Sequence, residues 1–178
     1  IADDALDMAA LLAAFDAEHI STSSVKWSND EMWRWHTRLL HHLDAATLLP
    51  LLQVHLPAAN LDFASLIVGN LERAEDALHY QYLVDVNTRF NDDAQAIIDG
   101  AAEGFYPTAL QLWQGMEDCD WKTWMHAVKE ETGCKGKQLF MPLRVALSGA
   151  LHGPEMSSIV NFLGKEGVEV RLQHVLKS

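Results

Sequence analysis

Segments with helical periodicity, each bounded by residues that start or stop helices, follow one another along nearly the whole chain of 178 residues. One segment, over about residues 29–43, places four apolar residues on one face of a helix: Met32, Trp35, Leu39 and Leu43. Few alternations typical of β-strands survive between the turn signals. The pattern therefore predicts an all-α fold.

Capping residues give the bounds of several predicted helices. Asp44 is placed to cap one helix, and Asp120 is placed to cap another that ends at Gly133. The segment 62–85 is predicted to be helical with one long amphipathic face, although Gly69 weakens the helix near its middle.

Charge is distributed unevenly along the chain, whose formal net charge is −12. Residues 1–120 carry a net charge of −15, and residues 121–178 carry +3. We predict two helical subdomains, a bundle over residues 1–95 and a second unit over residues 96–178. A polarised molecule whose basic end meets phosphate fits this charge distribution, and an unevenly charged solvated surface is the alternative.

The last third of the chain contains the pattern most suggestive of a binding site. Pro142 is predicted at the first position of a short helix, so that Arg144 lies in the first turn. A second helix is predicted over residues 155–163, ending at Gly164. Two helix N-termini and an arginine fork would together frame a pocket for unstacked bases. The alternative is a surface arginine on a short packing helix.

Other sites are not indicated by the sequence. His41 and His42 point to different sides of a helix, and His36 and His41 are five residues apart, so no zinc site is predicted. The two cysteines, Cys119 and Cys134, cannot form a disulfide framework. Neither a glycine-rich phosphate loop nor a G-x-S-x-G motif occurs, and no catalytic residue is assigned.

Apolar residues are also too dispersed for a membrane helix, because no run approaches about 20 residues. We therefore expect a cytoplasmic protein with no membrane or DNA partner.

Four tryptophans are predicted to lie in the core or at its edge: Trp33, Trp35, Trp121 and Trp124. A stacking role for one exposed tryptophan is left open.

The segment LFMPLRVALSG (139–149), followed by HGPE (152–155) and LGK (163–165), resembles a known family. Bacterial glutamyl-tRNA synthetases carry L-F-x-P-L-R-x-A-L-T-G, a G-P pair and L-[GI]-[KR] in this order. The hinge TGCKGK (132–137) resembles the family's T-G-x-K-G-K, and residues 31–41 resemble E-L-x-x-L-N-x-R-L-L-H. The chain is similar to the C-terminal anticodon-binding region of that family.

This resemblance implies a helical bundle followed by a helical cage that reads the anticodon of glutamate tRNA. Arg144 matches the arginine that contacts an anticodon base. Neighbouring contact positions fall on Met141, Gly153, Pro154 and Met156. In the bundle, Arg73 matches less closely an arginine that helps to read the first anticodon base, and we expect the chain to be a monomer.

The sequence departs from the family at several places. Ser148 replaces the usual threonine, and His36 stands where asparagine is usual. Met141 and Met156 cannot form the side-chain hydrogen bonds of a polar residue. The catalytic domain of the family, which binds ATP and Mg²⁺, has no counterpart here, so the chain alone is expected to be inactive and to hold no cofactor. The alternative function is a stand-alone helical module that binds a protein partner.

Overall fold

The computed structural model describes residues 8–19, 23–24, 26–118 and 120–177. It contains these α-helices: α1 (Met8–Ala14), α2 (Asn29–His42), α3 (Ala45–Gln53), α4 (Leu61–Ile67), α5 (Asp92–Asp99), α6 (Phe105–Gln114), α7 (Trp121–Thr132), α8 (Lys137–Ser148) and α9 (Met156–Val175). Short 3₁₀ helices span Ala17–His19 and Val68–Asn70, and a longer one spans Ala74–Leu83. The described residues form no strand, which confirms the all-α prediction, and none of their helices is long and apolar enough to cross a membrane.

The predicted capping residues act as the sequence indicates. The Asp44 carboxylate accepts a hydrogen bond of 2.7 Å from the backbone N–H of Thr47, and this bond lowers the pKa of Asp44. Asp120 accepts one of 2.8 Å from the N–H of Thr123 at the start of α7. Gly133 ends α7 with a φ of 71°. These helix ends follow from local hydrogen bonds, which is why the sequence predicts them.

The prediction of one helix over residues 62–85 is wrong. Helix α4 ends at Ile67, and the chain turns through Gly69 before it enters the 3₁₀ helix Ala74–Leu83. Three of the four buried residues in this 3₁₀ helix, Ala77, Tyr80 and Leu83, recur every three positions. A 3₁₀ helix has three residues per turn, so this spacing keeps all three on the side that faces the core.

The start predicted for the helix around Arg144 is also wrong. Helix α8 begins at Lys137, directly after Gly136, and Pro142 is its sixth residue. Arg144 therefore lies in the body of α8, where the free N–H groups of a helix N-terminus are out of reach. Because proline has no N–H, the carbonyl of Gln138 lacks its usual donor four residues later. The helix predicted over residues 155–163 is present, since α9 starts after Glu155 and Gly164 breaks its helical geometry with a φ of 62°.

A single core connects the two halves of the described chain. Helices α3, α4 and α9 pack together, and α9 also packs on α6 and α8. Trp113 and Trp124 are fully buried with ring centroids 4.9 Å apart, and their indole N–H groups donate to the carbonyls of Lys165 and Ala109. Helix α5 crosses the predicted boundary at residues 95 and 96, and it packs on α8. The division into two subdomains stays a prediction.

Arg171 joins the 3₁₀ helix Ala74–Leu83 to α9. Its guanidinium is 7% exposed and donates to the carbonyl oxygens of Tyr82 at 3.0 Å and Leu83 at 2.6 Å. A third bond, of 3.1 Å, reaches the carbonyl of Gly167 in its own helix. Burial lowers the pKa of Arg171, but arginine stays protonated under all ordinary conditions. The buried cation thus satisfies carbonyls at the end of the 3₁₀ helix.

Gly149→Ala is expected to destabilise the fold more than Gly133→Ala. Both glycines end helices with a φ near 70°, so either alanine costs about 1–2 kcal/mol through backbone strain. An added Cβ at Gly149 would also lie 2.8 Å from the Cβ of Tyr82, whereas nothing lies within 4 Å at Gly133. This clash adds about 1–3 kcal/mol. Urea denaturation of both variants measures the difference, and equal losses would contradict the packing of Tyr82 on this turn.

Candidate nucleic-acid interface

Arg144 ties helix α8 to the turn that precedes α9. Its side chain is 7% exposed, and Nη2 donates a 3.0 Å hydrogen bond to the carbonyl of Pro154. The guanidinium carbon lies 5.2 Å from the ring centroid of Phe140. Nη1 is sealed from solvent and has no hydrogen-bond partner among the described residues. Burial lowers the pKa of Arg144, whose side chain has one hydrogen bond to a carbonyl and an Nη1 without a partner among the described residues.

The turn between α8 and α9 depends on small residues. The hydroxyl of Ser148 donates to the carbonyl of Arg144 at 2.8 Å and accepts from the N–H of Ala150 at 3.2 Å. Gly153 has a φ of 138°, which favours glycine. A Cβ at this position would lie 2.5 Å from Cε1 of Tyr80, so the close approach of that ring also requires glycine.

An open cleft of about 540 Å³ lies between α5 and α8, next to this turn. Its walls include Met141 and Pro142 of α8, Ile97 of α5 and His152 of the turn, and Lys137 stands at its edge. The structure therefore places Met141 where an extended or unstacked ligand has room. Its lining is mainly apolar, as the face of a nucleobase requires.

The other predicted contact residues around this turn are less accessible to a ligand than Met141. Arg144 and Gly153 belong to the same cluster as Pro154, which is buried, and Met156 at the start of α9 is only 3% exposed. A contact by Pro154 or Met156 would thus use the backbone or the edge of the side chain. Their roles stay predictions.

Arg73 lies on a different part of the surface. It precedes the 3₁₀ helix Ala74–Leu83, where its N–H donates to the carboxylate of Asp76 at 2.8 Å. Its guanidinium carbon is 3.9 Å from the ring centroid of Trp33, and Nη1 is 3.3 Å from a carboxylate oxygen of Glu75. Trp33 is 38% exposed, so it does not lie in the core or at its edge as predicted, whereas Trp121 and Trp124 are buried as predicted. Trp35, at intermediate exposure, lies at the edge of the packed region as predicted.

Tyr80 is the residue near this site that the sequence did not single out. It belongs to the 3₁₀ helix of the bundle, yet its ring touches Gly153 in the turn after α8. Nothing in the sequence links Tyr80 to Gly153, which is 73 residues away, because their contact depends on how the 3₁₀ helix Ala74–Leu83 packs on the turn after α8. Cys119 lies outside the described residues, and no three His, Cys, Asp or Glu side chains gather as metal ligands within them.

Lys165, the last residue of the LGK motif, has a structural role here. Its amine donates to the carbonyl of Gln114, the last residue of α6, at 3.4 Å, and to that of Met116, two residues further on, at 2.7 Å. Its own carbonyl accepts the bond from the Trp113 indole. Gly164 makes the sharp break in α9 that brings Lys165 to this position.

Comparison with known proteins shows similarity to glutamate–tRNA ligases. Residues 105–176 match the family model described as anticodon binding domain. Over 172 residues, 93% of its length, the chain is 36% identical to glutamate–tRNA ligase 1 of Brucella ovis. It is 32% identical over 169 residues to glutamate–tRNA ligase 2 of a Methylobacterium species. Nearly the whole chain is thus similar to part of each of these glutamate–tRNA ligases, and residues 105–176 match an anticodon binding domain. It spans 36% of the length of these two relatives.

Solved structures of the family share the fold. A glutamate tRNA ligase from Elizabethkingia meningosepticum, crystallised with its amino acid, superposes with a TM-score of 0.73 at 18% identity. The match covers 96% of this chain and 36% of that one. The glutamate-tRNA synthetase of Elizabethkingia anophelis gives a TM-score of 0.69, also at 18% identity, over 92% of this chain and 34% of its own. The all-α architecture is therefore that of the family.

Lys165→Met is expected to lower the free energy of unfolding by about 1 kcal/mol without weakening RNA binding by the folded protein. The loss arises because two carbonyls at the C-terminal end of α6 lose a cationic donor. Lys129→Met is the matched control, since Lys129 pairs with the neighbouring Glu130 on the surface. Urea denaturation and a tRNA titration would be compared. A loss of affinity with unchanged stability would assign Lys165 to the RNA interface instead.

Proposed function

We propose that this chain binds glutamate tRNA by holding unstacked anticodon bases against α8 and the turn that follows it. The buried guanidinium of Arg144 is the observation that carries the proposal. One of its nitrogens is anchored on the carbonyl of Pro154, while Nη1 has no partner among the described residues. Leaving a buried donor unpaired costs about 1–3 kcal/mol. An acceptor on a base edge would remove this cost once neighbouring side chains give way.

The cleft beside Met141 and the turn at Gly153 provide the other features that base recognition needs, namely an apolar surface, a cation and rigid support. The apolar wall of the cleft accommodates a base, and Lys137 at its edge supplies a cation for a phosphate. The buried α8 and α9 hold Arg144 and Pro154 in fixed positions. Recognition of single-stranded bases needs this combination of a rigid polar group and an apolar surface.

We further propose that the chain serves a larger enzyme that attaches glutamate to tRNA in an ATP-dependent reaction. The relatives with this activity in their names are longer, and the chain covers 36% of them. In this proposal ATP and Mg²⁺ bind outside the chain, which acts as a monomeric, cytoplasmic, noncatalytic recognition unit. None of the relatives described above favours the alternative of a stand-alone module for a protein partner.

Arg144→Lys is expected to weaken binding of glutamate tRNA by about 1–3 kcal/mol, or roughly 5- to 150-fold. Lysine keeps the charge, but it cannot hold the Pro154 carbonyl and offer a second donor in the same plane. Fluorescence titration with glutamate tRNA, and with the same tRNA carrying a changed anticodon, measures both affinity and discrimination.

Arg171→Lys provides the matched control for this variant. Arg171 is equally buried and also donates to carbonyls, but it lies outside the predicted contact set. This variant should lose stability and keep its anticodon discrimination at temperatures where it is folded. Equal affinity of the wild-type chain for both tRNAs would sink the proposed function.

The salt dependence of tRNA binding is expected to be shallow. Residues 121–178 contain eight Lys and Arg, but Arg144 and Arg171 are buried and the Lys165 amine binds carbonyls. About two or three phosphate contacts would give a slope of log K against log salt of roughly −1 to −3. Lys135→Met and Lys137→Met should each reduce the slope by about 1.

Lys177→Met, at the other end of α9, is the control and should leave the salt slope unchanged. Titrations at several salt concentrations give the slopes. A steep slope for the wild-type chain, near −6 or beyond, would show that phosphate contacts dominate the affinity.

A further inference from the structure

We propose that Tyr80 is a further anticodon-contacting residue, and that its hydroxyl group forms a hydrogen bond with the edge of a base held beside Arg144. This inference rests on the proposed function, because it adds a specificity-determining residue to the same site. Tyr80 lies in the 3₁₀ helix Ala74–Leu83, which belongs to the predicted bundle, whereas Arg144 lies in the predicted cage.

The geometry of the Gly153 turn places the phenol end of Tyr80 in the site. A Cβ on Gly153 would lie 2.5 Å from Cε1 of Tyr80 and 3.2 Å from its hydroxyl oxygen. The next residue, Pro154, accepts the hydrogen bond from Arg144. The Tyr80 hydroxyl and the Arg144 guanidinium therefore lie next to Gly153 and Pro154, two consecutive residues of one turn. Gly153 and Pro154 are both among the predicted anticodon contacts.

Burial decides what kind of contact Tyr80 can make. The residue is only 8% exposed, so its ring faces are covered and cannot stack on a base. Its hydroxyl has no hydrogen-bond partner among the described residues, and it is not sealed from solvent. The hydroxyls of Tyr82 and Tyr106, in contrast, are both buried and unpartnered. Tyr80 thus offers a free polar group on a fixed ring.

The chemistry of the hydroxyl complements that of Arg144. Burial and, to a smaller extent, the charge of Asp76 raise the pKa of Tyr80, while Arg144 acts in the opposite direction. The protonated hydroxyl can donate and accept, whereas a guanidinium only donates. The Watson–Crick edge of every base contains at least one donor, which Arg144 cannot satisfy. The Tyr80 oxygen provides an acceptor next to it.

Tyr80 also lies on the same 3₁₀ helix that follows Arg73. The two residues are seven positions apart, or about 14 Å along the axis at 2.0 Å per residue. Asp76 lies between them, three residues after Arg73 and four before Tyr80, and its carboxylate accepts a hydrogen bond from the N–H of Arg73. This helix therefore connects the two predicted arginine positions and holds Tyr80 at the cage end.

Tyr80→Phe tests the proposal because it removes the hydroxyl and keeps the ring against Gly153. We expect the affinity of the chain for glutamate tRNA to fall about 3- to 10-fold, the range for one neutral hydrogen bond. Discrimination should fall at one anticodon position only, measured with three tRNAs that each carry one anticodon substitution. The salt slope should stay unchanged, since no phosphate contact is lost.

Tyr106→Phe is the matched control. Its hydroxyl in α6 is buried and has no hydrogen-bond partner within the described part of the chain, so the substitution removes the same atom from a site without a predicted base contact. We expect this variant to bind all tRNAs as the wild type does. Thermal unfolding of both variants verifies that neither has lost the fold, and affinities are compared below the lower melting temperature.

Two results would overturn the role of Tyr80. One is an unchanged affinity of Tyr80→Phe in a chain where Arg144→Lys binds more weakly, which leaves the proposed function standing. The other is an equal loss of affinity for all anticodon-substituted tRNAs, which indicates a general change of the turn rather than a base contact. Failure of the wild-type chain to discriminate anticodons would instead overturn the proposed function and this inference with it.

Discussion

The hydrogen bond from Arg144 to the carbonyl of Pro154 is the interaction on which the candidate site depends. It joins the body of α8 to the turn before α9 at 3.0 Å, inside a region closed to solvent. A buried cation without a carboxylate partner is costly, so the surrounding structure has to hold it in place. Ser148 closes the same turn by bonding to the carbonyl of Arg144 and the N–H of Ala150. The position of the turn and the geometry of the guanidinium are therefore fixed together.

The 3₁₀ helix Ala74–Leu83 connects this site to the rest of the molecule. Arg73 precedes it, Tyr80 presses on Gly153, and its last carbonyls bind the guanidinium of Arg171. The predicted bundle and cage thus share one core among the described residues, and Tyr80 of the predicted bundle reaches the candidate site. Residues 1–120 carry a net charge of −15, so the proposed recognition of RNA would rely more on base edges than on phosphates.

The family motif combines residues of different kinds. Lys165 holds the end of α6, and Gly149 ends α8 where a Cβ would strike Tyr82. Nη2 of Arg144 holds the carbonyl of Pro154, whereas Nη1 has no partner among the described residues. A motif read from sequence marks all these positions alike, because both packing and binding restrict the residue types that a position accepts. Contacts and burial in the structure separate the two groups.

The sequence by itself determined the helical class, the caps at Asp44, Asp120 and Gly133, and the similarity to glutamate–tRNA ligases, since these depend on local hydrogen bonds and residue order. It did not determine the break after Ile67 or the earlier start of α8, because packing overrides weak local preferences there. Only the tertiary structure decided that Arg144 is buried and that Tyr80 meets Gly153, since both depend on contacts between segments distant in the chain.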